Sequence, residues 1–182
     1  MPRLFTGLEI PEDVAMGLDL MRGGLRGARW IDRENYHITL RFMGDIPDHV
    51  AREVAQGLDG LSFRPFCLRL KGVGYFGGKD PHTLYASVEE SPEIKRLQAA
   101  QERLCQMIGL APEARRYTPH VTLARLRDAD PREVESYVAH HNLYRSRQFE
   151  LQHFVLFSSR PSRGGGPYAV EEVYGSGLAL AG

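Results

Sequence analysis

The chain is short of cysteine, of lysine, of net charge and of long apolar runs. Its two cysteines, Cys67 and Cys105, are too few for a disulfide scaffold. Neither belongs to a Cys-x-x-Cys pair, so both read as reduced thiols in a cytoplasmic protein. No apolar stretch approaches the ~20 residues needed to cross a bilayer. The opening Met1-Pro2-Arg3-Leu4 has neither the charged nor the apolar region of a secretory leader, so neither a leader nor a membrane contact is expected. The 23 basic side chains are balanced by 23 acidic ones, which excludes a polybasic binder and confines any nucleic-acid contact to a local patch. Only Lys71, Lys79 and Lys95 are lysines; the rest of the basic set is arginine. That bias suits bidentate phosphate recognition, though a GC-rich genome produces it as well.

What remains is the balance of a soluble globular protein: 182 residues, 42% hydrophobic and 25% charged. A chain this long buries roughly 70% of its unfolded surface and needs no metal or disulfide staple.

The chain repeats its own pattern. Tyr36-His37-Ile38-Thr39-Leu40 returns as Pro119-His120-Val121-Thr122-Leu123, with the two histidines 83 positions apart. Each copy continues to an acid, Asp45 or Asp128, and a proline, Pro47 or Pro131. From each proline, valine falls at the third and seventh positions: Val50 and Val54, then Val134 and Val138. Before the first motif, an alternating run from Leu4 to Ile10 passes through Pro11 into a helical pattern over about 11–23. Before the second, Thr83 to Glu89 leads through Ser91-Pro92 into a helix with Ile94, Leu97, Leu104 and Ile108 at helical spacing. Prolines suit the first helical turn because their missing N–H has no partner there. Strand-like runs follow at 66–70 and 149–156.

Each half therefore reads strand–helix–strand–helix–strand. The predicted fold class is α+β: two similar lobes related by a pseudo-two-fold axis, each a mainly antiparallel sheet with helices on its outer face, around a central cleft. Residues 1–182 form one bilobal domain, whose approximate halves, 1–78 and 79–182, carry one motif each. A segment around 72–81 links them, and a loop at 163–167 joins the last two strands.

Side chains alternate faces along a strand, so His37 and Thr39 share one face while Ile38 and Leu40 take the other. His120 and Thr122 separate from Val121 and Leu123 in the same way. A two-fold relation brings both polar pairs to one groove. With an ordinary pKa near 6.5, one imidazole serves as base while the other, protonated, serves as acid. The threonine hydroxyls hold phosphate oxygens between them. This chemistry calls for no metal and no cofactor.

The paired His-x-Thr motifs resemble those of the 2H phosphoesterase superfamily. The longer strings are His37-Ile38-Thr39-Leu40-Arg41-Phe42-Met43-Gly44 after Trp30, and 116–125, Arg-Tyr-Thr-Pro-His-Val-Thr-Leu-Ala-Arg. They resemble the bacterial and archaeal RNA 2′,3′-cyclic phosphodiesterases, also called 2′-5′ RNA ligases. The opening Arg3-Leu4-Phe5 with Ile10-Pro11 and the closing Ser158-Ser159 with Gly166-Pro167-Tyr168 extend the similarity over nearly the whole chain.

The resemblance implies metal-independent opening of a terminal 2′,3′-cyclic phosphate to a 2′-phosphate, on RNA ends or nucleotides, with weak reverse ligation. It makes His37 and His120 the acid–base pair, with His37 as acid the favoured order and the reverse left open. Thr39 and Thr122 bind phosphate, and Arg125 contacts it. Strand parity aims Arg125 away from the histidines unless the strand ends or bulges near Ala124. Arg41 has the parity to face the groove and is a further substrate-binding candidate, as are Tyr117 and Tyr168 for stacking on a base. Phe5, Tyr75, Phe76 and Tyr85 are weaker stacking candidates, and Arg22, Arg26 and Arg29 weaker phosphate contacts. The alternatives are a non-catalytic RNA-end binding module and a phosphodiesterase for a small cyclic phosphate such as ADP-ribose cyclic phosphate. The expected protein is a monomer.

Two other signals are set aside. Gly72-Val73-Gly74-Tyr75-Phe76-Gly77 spells a dinucleotide fingerprint, but a turn follows it where a helix is required. His140-His141 with His153 lacks the spacing of a metal site.

Overall fold

Prolines and short polar caps decide where the helices begin. In the computed structural model, which describes residues 2–159 and 168–175, the elements run β1 (Arg3–Glu9), α1 (Glu12–Asp19), β2 (Ala28–Trp30), β3 (His37–Asp45), α2 (Asp48–Asp59), β4 (Phe66–Leu68), β5 (Leu70–Phe76), β6 (Thr83–Val88), α3 (Pro92–Ile108), β7 (His120–Leu126), α4 (Pro131–His140), β8 (Phe149–Leu151), β9 (Phe154–Ser159) and β10 (Tyr168–Tyr174). Pro11 and Pro47 precede α1 and α2 at the cap position, while Pro92 and Pro131 open α3 and α4. The Ser91 and Asp130 side chains accept the amides of Ile94 and Arg132, pairing N–H groups the helices leave open. The first helix stops at Asp19, short of the predicted 23, and Gly23 and Gly24 follow at positive φ. The loop expected at 163–167 lies outside the described residues.

The main sheet has the order β10-β9-β1-β3-β7-β6-β5, with β2 beside β7, and every pairing is antiparallel. Its helix-side face buries Ile38, Leu40, Val121 and Leu123 in one core with Val14, Leu18, Val54, Leu58, Ile94 and Val134. The fold is thus α+β and antiparallel, with the helices covering one face.

Two of the contacts between the halves pair counterpart strands, and both lie on the pseudo-two-fold axis. Ile38 pairs with Val121, the one bridge between β3 and β7. A separate two-stranded ladder pairs β4 with β8, centred on Cys67 opposite Glu150. Both pairs keep the 83-residue interval of the histidines, so each residue pairs with its own counterpart. That self-pairing is what a two-fold axis through an antiparallel ladder produces.

Residues 72–76, expected to link the halves, are instead part of β5, and the following turn leads into β6. Gly74 explains the misreading: it weakens the strand signal, yet a Cβ there would lie 2.7 Å from the Tyr85 hydroxyl oxygen. The strand needs glycine so that the Tyr85 ring can lie across it.

One strand of each half crosses to the other lobe: β5 joins β6 and β7, and β9 joins β1 and β3. Residues 1–78 expressed alone therefore leave β4 and β5 unpaired. They are expected to show no cooperative thermal transition by circular dichroism until 79–182 is co-expressed. A cooperative transition from the fragment alone would contradict this dependence.

Candidate active site

Both histidines open a strand, and both are oriented by backbone. His37 Nδ1 lies 2.8 Å from the Asn35 carbonyl oxygen, and His120 Nδ1 lies 2.7 Å from that of Thr118. A carbonyl only accepts, so each Nδ1 carries the proton and donates, leaving each Nε2 with a lone pair. The Thr39 hydroxyl donates to His37 Nε2 at 3.0 Å. Antiparallel register about the Ile38–Val121 bridge sets His37 across from Thr122 and Thr39 across from His120. All four line one groove of about 400 Å³.

The same irregularity interrupts both motif strands. On β3, Gly7 pairs with Thr39 and Thr6 with Arg41, so Leu40 is an extra residue. On β7, Tyr85 pairs with Thr122 and Leu84 with Ala124, so Leu123 is extra. Each bulge places two consecutive residues on the buried face, Leu40 with Arg41 and Leu123 with Ala124. Parity is reset beyond it. Arg125 consequently returns to the groove, where its guanidinium Nη1 donates to Thr83 Oγ1 at 3.2 Å. Phe42 occupies the equivalent place on β3 and lines the same groove.

The bulge also corrects the expectation for Arg41. It turns to the helix side, 6% exposed, and its guanidinium pairs with Glu102 and donates to the carbonyls of Phe42 and Ala111. Glu102 in turn accepts the Glu113 amide at 3.0 Å. Arg41 thereby ties β3 to α3 and to the segment leading into β7, and its charge is used in structure.

Tyr117 also differs from expectation. Its hydroxyl donates to the Thr39 carbonyl at 2.8 Å, a strut between the two motifs, and its ring lies outside the main groove. Tyr168 does line the groove. Its ring meets His37 edge-on at 5.1 Å between centroids, alongside Phe5 at 5.0 Å and Phe157 at 5.8 Å. His120 is flanked by Phe76 at 5.0 Å and Tyr85 at 5.3 Å.

Thr83, His82, Arg3 and Arg115 also line the groove, and none was anticipated from sequence. Arg3, His82 and Thr83 lie far from the motifs in the chain, Arg115 only five residues before His120, and none carries a pattern of its own. Arg22 and Arg26 point elsewhere, to the Ile31 carbonyl and to Glu133.

Aromatic walls strip water from the imidazoles, and desolvation disfavours their charged forms. Burial drives His37 from the usual 6.5 down to about 4, helped by the nearby charges of His120 and Arg125 and opposed by the Asn35 carbonyl. Burial lowers His120 as well, again with Arg125 adding to the effect and the Thr118 carbonyl resisting it.

His37 binds its proton more weakly folded than unfolded, so folding stability is retained above about pH 6.5 and lost as pH falls towards 4. The shift corresponds to about 3 kcal/mol at pH 4. Thermal midpoints measured from pH 7 to pH 4 are expected to fall less steeply in His37→Asn than in the parent. Parallel curves would exclude the depressed imidazole. A second expectation concerns Gly7, where a Cβ would lie 2.8 Å from the Ile38 carbonyl oxygen and 3.5 Å from the His37 ring. Gly7→Ala is expected to cost roughly 1–3 kcal/mol by overpacking, read as a lowered denaturation midpoint; an unchanged midpoint would show that β1 yields without strain.

Comparison with known proteins follows the same lines. The family model described as the 2′-5′ RNA ligase superfamily matches residues 11–162. An RNA 2′,3′-cyclic phosphodiesterase of Aquifex aeolicus is 30% identical over 171 residues, covering 91% of this chain and 89% of that protein. One from Aeropyrum pernix is 37% identical over a shorter stretch, 54% of this chain and 57% of its own length. Among solved structures, E. coli LigT complexed with 3′-AMP superposes with a TM-score of 0.79 at 19% identity, covering 96% of this chain and 98% of its own. At such low identity that match speaks for the fold alone.

Proposed function

The chain belongs to the 2′-5′ RNA ligase superfamily, and from that premise we propose that it is an RNA 2′,3′-cyclic phosphodiesterase whose groove opens cyclic phosphate ends to 2′-phosphates. The observation that carries the reading is the matched pair of imidazoles. Each has Nδ1 committed to a backbone carbonyl and Nε2 left to exchange a proton.

The cyclic phosphate sits between the two Nε2 atoms, with Thr39, Thr122 and Arg125 around its non-bridging oxygens. A water oxygen attacks phosphorus and gives its proton to one imidazole. The bond from phosphorus to the ribose 3′ oxygen breaks, and the other imidazole protonates that oxygen. The 2′ oxygen keeps the phosphate. In the empty groove burial holds both rings neutral; the anionic phosphate supplies the opposite charge that lets one bind a proton. His37 is the group proposed to protonate the leaving oxygen, while His120 accepts the proton of water. With the 5′ hydroxyl of a second RNA in place of water, the same exchange breaks the bond from phosphorus to the 3′ oxygen and forms a 2′-5′ linkage.

The substrates are RNA ends and nucleotides bearing the cyclic phosphate, and the proposed setting is a cytoplasmic monomer with Cys67 and Cys105 reduced. No described helix is long and apolar enough to cross a membrane. Among the described residues, no three His, Cys, Asp or Glu side chains gather as a metal ligand set.

Adenosine 2′,3′-cyclic phosphate and a short RNA with a cyclic phosphate end, incubated with excess EDTA, test the proposal. The expected product is the 2′-phosphate, with His37→Ala and His120→Ala each losing roughly a hundred- to ten-thousand-fold in rate. A 3′-phosphate product would reverse the leaving group. RNA binding without turnover would favour an end-binding module.

A further inference from the structure

Three guanidinium groups line the groove, and they are held differently. Arg3 pairs with Asp45 and Arg115 with Glu113, whereas Arg125 meets no carboxylate among the described residues. What orients Arg125 is a hydroxyl. Thr83 is its register partner across β6 and β7, and the guanidinium Nη1 donates to Thr83 Oγ1 at 3.2 Å. On the other flank, the paired position on β2 is Arg29, a like charge that disfavours that side. A hydroxyl fixes the direction of the arginine and leaves its charge whole, whereas a carboxylate in the same place would hold it and neutralise it.

The hydroxyl is itself directed. Thr83 is 2% exposed, so its proton needs an acceptor within the protein. The guanidinium only donates; it occupies a lone pair of Oγ1 and leaves the proton over. The acceptor in reach among the described residues is His82 Nδ1, 2.8 Å away. This network assigns the His82 proton to Nε2, the reverse of His37 and His120, whose Nδ1 atoms face carbonyls. The backbone of His82 is fixed on both sides: its amide donates to the Phe76 carbonyl at 3.0 Å, and its carbonyl accepts the Leu126 amide at 2.9 Å. Gly77, at φ 112°, leaves room for the ring, since a Cβ there would lie 2.8 Å from His82 Cδ2. The strand register does not require the hydroxyl. In the other half the equivalent of Thr83 is Phe5, opposite Phe42, and that apolar pair meets the same register.

We propose that Thr83 is a positioning residue for Arg125, holding the guanidinium towards the phosphate through its hydroxyl, and that His82 completes the chain by accepting the hydroxyl proton. The proposal rests on the phosphodiesterase reading, in which Arg125 meets the non-bridging oxygens. With Nη1 turned to Thr83, the Nε–Nη2 edge remains for two parallel bonds to phosphate oxygens. Thr83 and His82 act through Arg125, and the arginine reaches the phosphate already oriented and fully charged.

Steady-state kinetics on adenosine 2′,3′-cyclic phosphate, with Thr83→Val, Thr83→Ser and His82→Phe each made in the parent and in Arg125→Gln, test the proposal. Thr83→Val keeps the shape of the side chain and removes the hydroxyl. It is expected to lower kcat/KM roughly tenfold in the parent and to have no further effect in Arg125→Gln. Thr83→Ser is expected to recover most of that loss, and His82→Phe to show a smaller loss in the parent alone. Should Thr83→Val fail to fold, Thr83→Ala takes its place. A loss of equal size in both backgrounds, or an unchanged kcat/KM in Thr83→Val, would overturn the positioning role and leave the phosphodiesterase reading standing. A parent-like His82→Phe would remove His82 from the chain. No turnover by the parent would count against the phosphodiesterase reading instead. Calorimetric affinity for inorganic phosphate then decides the positioning: binding weakened by Thr83→Val in the parent but not in Arg125→Gln supports it, and equal binding by the parent and Thr83→Val overturns it.

Discussion

The pairing of Ile38 with Val121 is the contact on which the rest of the molecule depends. Both side chains are fully buried, and the bridge joins two strands that are each other's counterparts. Because the residues at an antiparallel bridge are related by a local two-fold, their neighbours fall into place without further instruction. His37 comes opposite Thr122, and Thr39 opposite His120. The β4–β8 ladder holds the same axis at a second point, and the exchange of β5 and β9 between lobes prevents the halves from drifting apart. The geometry of the groove is therefore a property of the core rather than of surface loops.

A symmetric frame produces an asymmetric groove through substitution at equivalent positions. Both motif strands bulge at the leucine after the threonine, so the fifth residue after each histidine returns to the polar face. On one side that residue is Arg125, held beside Thr83; on the other it is Phe42, opposite Phe5. Of these two equivalent positions, one is thereby cationic and the other apolar. The same asymmetry reaches the imidazoles. Phe5, Phe157 and Tyr168 enclose His37, whose pKa falls to about 4, whereas Phe76 and Tyr85 flank the less constrained His120. Two rings with the same backbone anchor thus meet different aromatic walls, and burial lowers the basicity of both.

The Arg41–Glu102 pair shows how a catalytic-looking motif also carries structure. Within eight residues, His37 to Gly44, alternate positions face the groove and the bulge sends one cation inward. There its guanidinium satisfies two backbone carbonyls as well as a carboxylate, and it braces the segment from which Arg115, Arg116 and Tyr117 project. Tyr117 then closes the bracing with its bond to the Thr39 carbonyl. The histidine strands are held from behind by polar contacts and from the front by aromatic ones.

The repeated motif, its 83-residue interval and the strand–helix alternation are all local patterns, and they determined the α+β class, the pseudo-two-fold and the convergence of His37, Thr39, His120 and Thr122. These features depend only on period-two strands and on a duplication visible in one dimension. Arg41 and Arg125 were decided elsewhere. Strand parity assigns them to faces correctly only while a strand is regular, and whether a strand bulges depends on its register with a neighbour from another part of the chain. The destination of β5 was hidden for a similar reason, since Gly74 looks like a linker until the Tyr85 ring that covers it is in place. The walls of the groove come from separate segments of the chain, with Tyr168 lying 131 residues after His37. Their effect on the imidazoles is a desolvation, which is set by the distances among side chains and not by their order along the chain.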